Sequence, residues 1–225
     1  MSRAQPETRR RGRPSTTSRA EIVAAARRLI EDEGAERLTL RRLATAMGVG
    51  PSTLYRHVRD REDLLVLVLD DFLQQVPLPD LPRAPRERVV VAAVAMRDAL
   101  ASRPWAADVL AVDGFLGRLD DASVRLVEVV LAAAVEAGCS SEQAVDLFRA
   151  LWSHCVGEVL IRARSRTTTR EERARYPGFA SRDPRLLPRL AEIGTRWPHI
   201  AARDTYAAGV RALVDGMLPR PADGA

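Results

Sequence analysis

Apolar residues recur every three or four positions along most of this chain, which is the spacing of amphipathic helices. No segment alternates apolar and polar residues over the length of a strand between hairpin turns. The pattern therefore predicts an all-α protein. Helices are predicted at residues 18–33, 40–47, 51–58, 61–76, 86–102, 104–113, 118–137, 141–164, 185–196 and 203–218.

Local signals support several of these helix ends. Ser18 with Glu21, and Ser140 with Gln143, have the spacing of capping boxes at helix N-termini. Gly48 stands where a helix would end, and Asp60 is suited to cap the helix that follows it.

Two segments interrupt the helical pattern. Residues 77–82 contain three prolines and are predicted to be a linker. Residues 165–184 combine Ser, Thr, Pro and dense charge, which predicts a long loop. We expect a flexible basic tail at residues 1–17, a helical head at 18–66 and an all-helical body at 67–225.

Charge is concentrated near the N-terminus. Residues 1–65 hold 14 Arg and nine acidic residues, whereas the remaining 160 residues hold 21 of each sign. A basic end on a neutral body indicates a polyanionic partner, nucleic acid before membrane. A merely solvated basic tail explains the charge alone equally well.

Composition excludes several other classes. No apolar run is long enough for a transmembrane helix, and the N-terminal residues lack the apolar core of a secretory signal. Two cysteines, Cys139 and Cys155, are too few for a disulfide scaffold. We therefore expect a cytoplasmic protein without a membrane partner.

Residues 39–58 have the pattern of a DNA-reading helix-turn-helix: a short helix, a turn with glycine, and a second short helix. Leu43, Ala44, Leu54 and Val58 are predicted to pack the two helices together. The residues left outward on the second helix are hydroxyl, planar or hydrogen-bonding side chains suited to phosphates and base edges: Ser52, Thr53, Tyr55, Arg56 and His57.

This stretch resembles the TetR family of bacterial repressors. The resemblance lies in Leu38-Thr39, Leu43-Ala44, Gly48-Val49, Thr53-Leu54-Tyr55 and His57-Val58, followed by Asp60-Arg61-Glu62-Asp63-Leu64-Leu65. A second stretch, residues 206–216, is similar to the closing helix of tetracycline-repressor-type bodies.

The resemblance implies roles for individual residues. Arg41 would reach a base edge, Thr53 and Tyr55 would contact phosphates, and Arg61 would hold the DNA backbone at the flank. The DNA-binding set so implied is Thr39, Arg41, Ser52, Thr53, Tyr55, Arg56, His57 and Arg61. His57 is equally well explained as a packing residue.

The tail adds a separate motif. Arg11-Gly12-Arg13-Pro14 matches the core of the AT-hook, in which an extended Arg-Gly-Arg lies in a narrow A·T minor groove. Arg11 and Arg13 are therefore predicted to contact DNA.

The body carries nine of the ten aromatic residues. Apolar pockets with few polar groups suit small organic molecules, so an effector of unknown identity is expected there. Large side chains at helical spacing are also typical of a plain core. The candidate ligand-binding residues are Phe72, Met96, Trp105, Phe115, Phe148, Trp152 and His154.

The family resemblance also implies a homodimer on double-stranded operator DNA, formed through helices near 141–164 and 203–218. Apolar residues for this interface are Ala144, Phe148, Leu151, Cys155 and Leu160 on the first helix, and Ala207, Val210, Leu213, Val214 and Met217 on the second. The implied function is that of a repressor released from its operator by the effector.

Two other classes compete with this interpretation. An enzyme is disfavoured because none of the three histidines accompanies a nucleophile motif and no phosphate-binding glycine loop occurs. Cys155 follows His154 directly, but adjacent helix residues face different sides. An effector-independent architectural DNA-binding protein is the stronger rival. No cofactor and no metal site are expected, and the absence of His between residues 58 and 153 argues against a tetracycline–magnesium effector.

Overall fold

The computed structural model describes residues 17–110, 114–167 and 179–219. They form helices and turns, which confirms the predicted all-α class with an N-terminal helix-turn-helix head and a helical C-terminal body. The chain divides into two compact units, one ending at Asp71 and the other starting at Phe72.

The head contains α1 (Arg19–Glu33), α2 (Leu40–Met47) and α3 (Pro51–Leu54), followed by α4 (Arg61–Gln74), in which the division between the units falls. The capping box before α1 is present, because the Ser18 hydroxyl accepts from the Glu21 N–H and the Glu21 carboxylate accepts from the Ser18 N–H. The apolar stripe of α1, with Ile22 and Ala26, is fully buried.

A tight turn joins α2 to α3. Gly48 has φ 66°, in the left-handed region that favours glycine, and its N–H bonds back to the carbonyls of Ala44 and Thr45. Pro51 then occupies the first turn of α3, where its missing N–H costs nothing.

The second helix of the motif is shorter than predicted. α3 ends at Leu54, and the N–H groups of His57 and Val58 both donate to the Leu54 carbonyl, at 2.8 and 3.0 Å. This turn keeps Leu54 and Val58 buried on one side, so the apolar spacing continues beyond the helix itself. The chain then leaves the helical path for Asp60, whose carboxylate caps α4 by accepting from the Asp63 N–H at 2.7 Å.

The body contains α5 (Pro85–Ala101), α6 (Trp105–Leu110), α7 (Arg125–Glu136), α8 (Ser141–Thr167), α9 (Pro188–Ile193), α10 (Trp197–Ala201) and α11 (Tyr206–Met217). Helix α5 is central, since it packs against α7, α8 and α11. Val89, Val130, Leu147 and Val210 are fully buried between these helices.

The body differs from the prediction at helices α7, α8 and α10. Helix α7 begins at Arg125 rather than at 118, after a 3-10 helix at Phe115–Arg118 and turns over residues 121–124. Helix α8 continues to Thr167, into the predicted loop, of which residues 168–178 lie outside the described part of the chain. The short helix α10 was not predicted as a separate element.

The apolar residues chosen for a dimer interface on α8 are mostly part of the subunit's own core. Ala144, Phe148, Leu151 and Cys155 are buried within the chain. Their spacing marks the face toward α5 and its neighbours, and a side chain already buried there offers no surface to a second subunit. On α11, Val210 and Val214 are buried in the same way, whereas Ala207 and Met217 are exposed.

Candidate functional sites

The start of α2, helix α3 and the turn after it carry a polar surface, here called the reading face: Arg41, Ser52, Thr53, Tyr55, Arg56 and His57. Tyr55 is 60% exposed, although it follows the fully buried Leu54. Thr53 and His57 are half-buried. Tyr55 thus presents a hydroxyl and a planar ring to solvent beside other hydrogen-bonding side chains, which are groups suited to contact phosphates and base edges.

Two arginines of the reading face have no acidic partner among the described residues. In the described part of the chain, Arg41 and Arg56 form no ion pair. Two nearby arginines do have acidic partners. Arg42 binds Glu33 through two N–H groups, and Arg59 binds Asp63 at 3.2 Å. The Arg42 guanidinium holds the pKa of the Glu33 carboxyl below its usual range. The charges of Arg42 and Arg59 are thus neutralised beside the reading face, whereas the charges of Arg41 and Arg56 are available to a partner.

Thr39 and Arg61 have structural partners in the head. The Thr39 hydroxyl caps α2 by accepting from the Arg42 N–H at 3.1 Å. The Arg61 guanidinium donates to the Leu38 carbonyl at 2.9 Å and to the Ala35 carbonyl at 2.8 Å. Arg61 therefore ties the start of α4 to the segment before α2, and its contact with DNA stays a prediction.

Replacing Arg61 by alanine should destabilise the head. Two charge-assisted hydrogen bonds to backbone carbonyls are lost, so the free energy of unfolding should fall by about 1–2 kcal/mol. Urea denaturation followed by circular dichroism measures this, with Arg56→Ala as the matched control of unchanged stability. Unchanged stability of Arg61→Ala, together with weaker binding to all DNA sequences, would instead assign Arg61 to a phosphate contact.

The predicted minor-groove residues Arg11 and Arg13 lie outside the described residues. Their role stays a prediction.

The body contains an apolar cleft that is open to solvent on one side. Its lining comes from the end of α4 and the residues after it, from α5, from the end of α6, from residues 115–123, from the start of α7, and from Trp152 of α8. Its lining is Leu73, Val76, Leu78, Met96, Ala99, Leu100, Leu110, Phe115, Leu116, Leu119, Ala122, Ser123, Arg125, Leu126, Val127 and Trp152. Clefts with such an apolar lining and few polar groups suit small organic molecules.

A stack of aromatic rings forms one wall of the apolar cleft. The Phe115 and Trp152 rings are 5.0 Å apart between centroids, and Phe148 continues the stack at 6.2 Å from Trp152. Phe115 and Trp152 also line a second cleft, to which Arg149 and Ser153 contribute polar groups. The stack therefore separates two neighbouring clefts.

The apolar cleft contains three of the seven predicted ligand residues, Met96, Phe115 and Trp152. The other four lie elsewhere. Phe148 lines the second cleft, Phe72 lies under the Arg103 guanidinium at 5.3 Å, Trp105 is half-buried outside the lining, and His154 stacks on Tyr206.

Sequence reasoning missed most of the cleft. The missed residues include Leu119, Ala122 and Ser123, which lie in the non-helical segment that the sequence assigned to the start of α7, and Arg125, which is the first residue of α7. Asp120 is the one signal that indicates the break, because its carbonyl accepts from the Ser123 N–H in a turn of the kind that Asp favours.

His154 and Cys155 lie at the packing of α8 with α11. The His154 and Tyr206 rings are parallel within 9° and 4.8 Å apart, and His154 Nε2 is buried without a hydrogen-bond partner among the described residues. Burial raises the pKa of the Cys155 thiol to about 11, so it stays protonated at neutral pH. A nucleophilic cysteine needs the thiolate, and the pair therefore has the character of a packing site.

Neither a metal cluster nor a membrane helix is found within the described ranges. No three His, Cys, Asp or Glu side chains are grouped there as metal ligands. No helix there combines the length and the apolar character needed to cross a bilayer.

Family models match both parts of the chain. Residues 22–68 match bacterial regulatory proteins of the tetR family, and residues 78–220 match the tetracyclin repressor-like C-terminal domain. An HTH-type transcriptional regulator from Saccharopolyspora erythraea is 29% identical over 220 residues, covering 95% of this chain and 89% of that protein.

Solved structures share the fold. BioQ bound to its double-stranded DNA operator is 25% identical with a TM-score of 0.62, covering 89% of this chain and 98% of that one. ActR from Streptomyces coelicolor in complex with (S)-DNPA is 24% identical with a TM-score of 0.72, covering 88% and 96%. Both similarities extend over the head and the body.

Proposed function

The chain belongs to the TetR family of bacterial DNA-binding transcriptional regulators, and from this membership we propose that it is a homodimeric repressor released from its operator by a small organic molecule. It would act in the bacterial cytoplasm, where operator DNA is present. The observation that supports a response to a ligand is the apolar cleft in the body.

The reading face supports operator binding. It combines Tyr55, Arg41 and Arg56, which are exposed, with shorter hydroxyl side chains. Arginine forks recognise guanine edges and phosphates, while hydroxyl groups bind phosphates. In the BioQ complex the bound partner is double-stranded operator DNA, which is the partner that we propose for this chain.

A homodimer follows from the geometry of operators. Helix-turn-helix dimers read two half-sites about 34–36 Å apart on one face of the duplex. The exposed sides of α8 and α11 carry large apolar residues, Val145 and Ile161 on the first and Met217 on the second. We place the interface on these exposed sides rather than on the buried stripe of α8.

Helix α4 provides a path from ligand to DNA. Its first residue, Arg61, bonds to the carbonyls of Ala35 and Leu38 in the head, and Leu73 near its end lines the apolar cleft. A ligand that displaces the end of α4 would change the spacing of the two reading faces in a dimer. Operator half-sites tolerate little change in that spacing, so binding to DNA would weaken.

Reciprocal binding measurements test this proposal. The operator is first located by footprinting the protein on its own upstream DNA, and compounds that bind the body are found by thermal shift. The affinity of a bound compound is then measured with and without saturating operator. By linkage, an inducer must bind more weakly in the presence of operator, by the same factor by which it weakens DNA binding.

Equal affinities with and without operator would rule out the inducer mechanism for that compound. If no compound bound, the alternative of an effector-independent architectural DNA-binding protein would be favoured. Such a protein would bind DNA with little preference for one sequence, which the footprint also measures.

Removing residues 1–16 should weaken operator binding most where the flanking DNA is A·T-rich. An Arg-Gly-Arg segment fits the narrow, strongly negative minor groove of such DNA. Arg11→Ala with Arg13→Ala should reproduce this loss. Arg3→Ala with Arg9→Ala removes the same charge outside the motif and is the matched control.

Equal losses on A·T-rich and G·C-rich flanks, or equal losses for the two double variants, would reduce the tail to general phosphate neutralisation. In that case each lost phosphate contact should flatten the logarithmic salt dependence by about 0.9.

A further inference from the structure

Polar side chains in the lining of the apolar cleft are few, and none of them is acidic. Ser123 supplies a hydroxyl and Arg125 a guanidinium, and the lining includes no carboxylate. A bound cation would therefore lie in apolar surroundings without an acidic partner, which is costly. A ligand with an anionic group has a partner in Arg125.

Arg125 is held in place by its own turn. Its Nε–H donates to the Ala122 carbonyl at 2.8 Å, which fixes the guanidinium beside the turn that closes the cleft. Within the described ranges no carboxylate forms an ion pair with Arg125. The terminal N–H groups are thus available to a ligand, and a guanidinium can bind a carboxylate through two parallel hydrogen bonds.

The aromatic wall indicates the shape of the rest of the ligand. The ring planes of Phe115 and Trp152 are within 28° of each other and both line the cleft. Flat ring faces favour offset stacking with another flat ring.

We propose that the apolar cleft binds a planar aromatic carboxylate, with its rings against Trp152 and Phe115 and its carboxylate on Arg125. This assignment rests on the proposed function, because it names the chemical class of the effector. It distinguishes anionic aromatic compounds from neutral and cationic compounds of the same shape.

Three probes of one shape test the proposal by isothermal titration calorimetry on the full chain without DNA. They are anthraquinone-2-carboxylate, the neutral anthraquinone-2-carboxamide, and the cationic 2-(aminomethyl)anthraquinone. The carboxylate should bind about five- to tenfold more tightly than the carboxamide, the range for a charge-assisted contact that is partly exposed to solvent. The ammonium compound should bind most weakly.

Arg125→Gln should remove the preference for the carboxylate and leave the affinity for the carboxamide unchanged. Arg189→Gln, at an exposed arginine of α9 outside the cleft, is the matched control and should change none of the three affinities. Ala122→Trp, which fills the cleft from the turn, should abolish binding of all three. Circular dichroism verifies the fold of each variant, and Trp152→Ala replaces Ala122→Trp if the latter is unfolded, with weaker binding of all three expected.

Equal affinity for carboxylate and carboxamide, an unchanged preference in Arg125→Gln, or no binding of any probe would overturn the proposal. Operator release is measured separately by fluorescence anisotropy of labelled operator DNA. Binding of the carboxylate without release of DNA would support the ligand class and contradict the inducer role. Release by compounds that lack an anionic group, with no binding of the carboxylate, would support the inducer role and contradict the ligand class.

Discussion

Replacing both Arg41 and Arg56 by alanine is expected to abolish sequence-specific operator binding. Each arginine that reads a base edge contributes about 1–3 kcal/mol of discrimination, so the double variant should lose roughly 2–6 kcal/mol on the cognate operator. The expectation rests on their position, since both are exposed on the reading face and neither has an acidic partner in the described part of the chain. Fluorescence anisotropy with the operator and with a scrambled duplex measures the loss.

Arg42→Ala is the matched control for this experiment. Arg42 is the direct neighbour of Arg41 on α2, but its guanidinium is bound to Glu33. Its removal should change operator affinity by less than about 1 kcal/mol, as for an exposed ion pair. The single variants Arg41→Ala and Arg56→Ala separate base reading from phosphate contact. Loss of a residue that reads a base should weaken binding to the operator more than binding to the scrambled duplex. An unchanged operator affinity of Arg41→Ala would place the reading face elsewhere on the head.

Replacing Gly209 by alanine is expected to destabilise the body, although alanine favours helices. A Cβ atom at this position of α11 would lie 2.7 Å from His154 Nε2. The His154 ring is held against Tyr206, which is almost fully buried and whose hydroxyl donates to the Ala93 carbonyl at 3.2 Å. Overpacking of this kind costs about 1–3 kcal/mol, against a helix propensity gain of up to about 1 kcal/mol.

The effect of Gly209→Ala on the free energy of unfolding should change sign when His154 is replaced first. In His154→Ala the crowded ring is absent, so Gly209→Ala should stabilise by up to about 1 kcal/mol through helix propensity alone. Urea denaturation of the two single variants and the double variant at one protein concentration gives the coupling energy. A coupling energy near zero would show that His154 is free to move away.

Gly216→Ala measures the propensity gain separately, because no atom of the described chain lies within 4 Å of a Cβ there. A destabilising effect of Gly216→Ala would indicate a neighbour contributed by a second subunit.

The head could be predicted from the sequence because its signals are local. The capping box of Ser18 and Glu21, the left-handed Gly48 and the cap at Asp60 each fix a helix end within a few residues. The error in the length of α3 arises because a turn bonded to the Leu54 carbonyl keeps Leu54 and Val58 on the same side. Apolar spacing cannot distinguish that turn from one more turn of helix.

The apolar cleft could be predicted only in part because its lining comes from segments far apart in the sequence. Met96 and Trp152 were identified as large side chains on α5 and α8, but the sequence gives no reason why Phe148 and His154 should face elsewhere. Tertiary packing decides which side of a buried helix meets an open space. Arg125 was missed for a different reason, because the helical pattern continues through the turn that positions it.

The ion pairs within the head also affect how fast the protein finds its operator. Residues 17–71 contain nine Arg and ten acidic residues, and several of these arginines are paired, such as Arg42 and Arg59. Residues 1–16 contain five Arg and one Glu. Non-specific attraction to DNA depends on unpaired positive charge and sets how long a protein slides along the duplex before it dissociates. We therefore expect residues 1–16 to govern the rate of the target search, and the nearly neutral head to decide where that search stops.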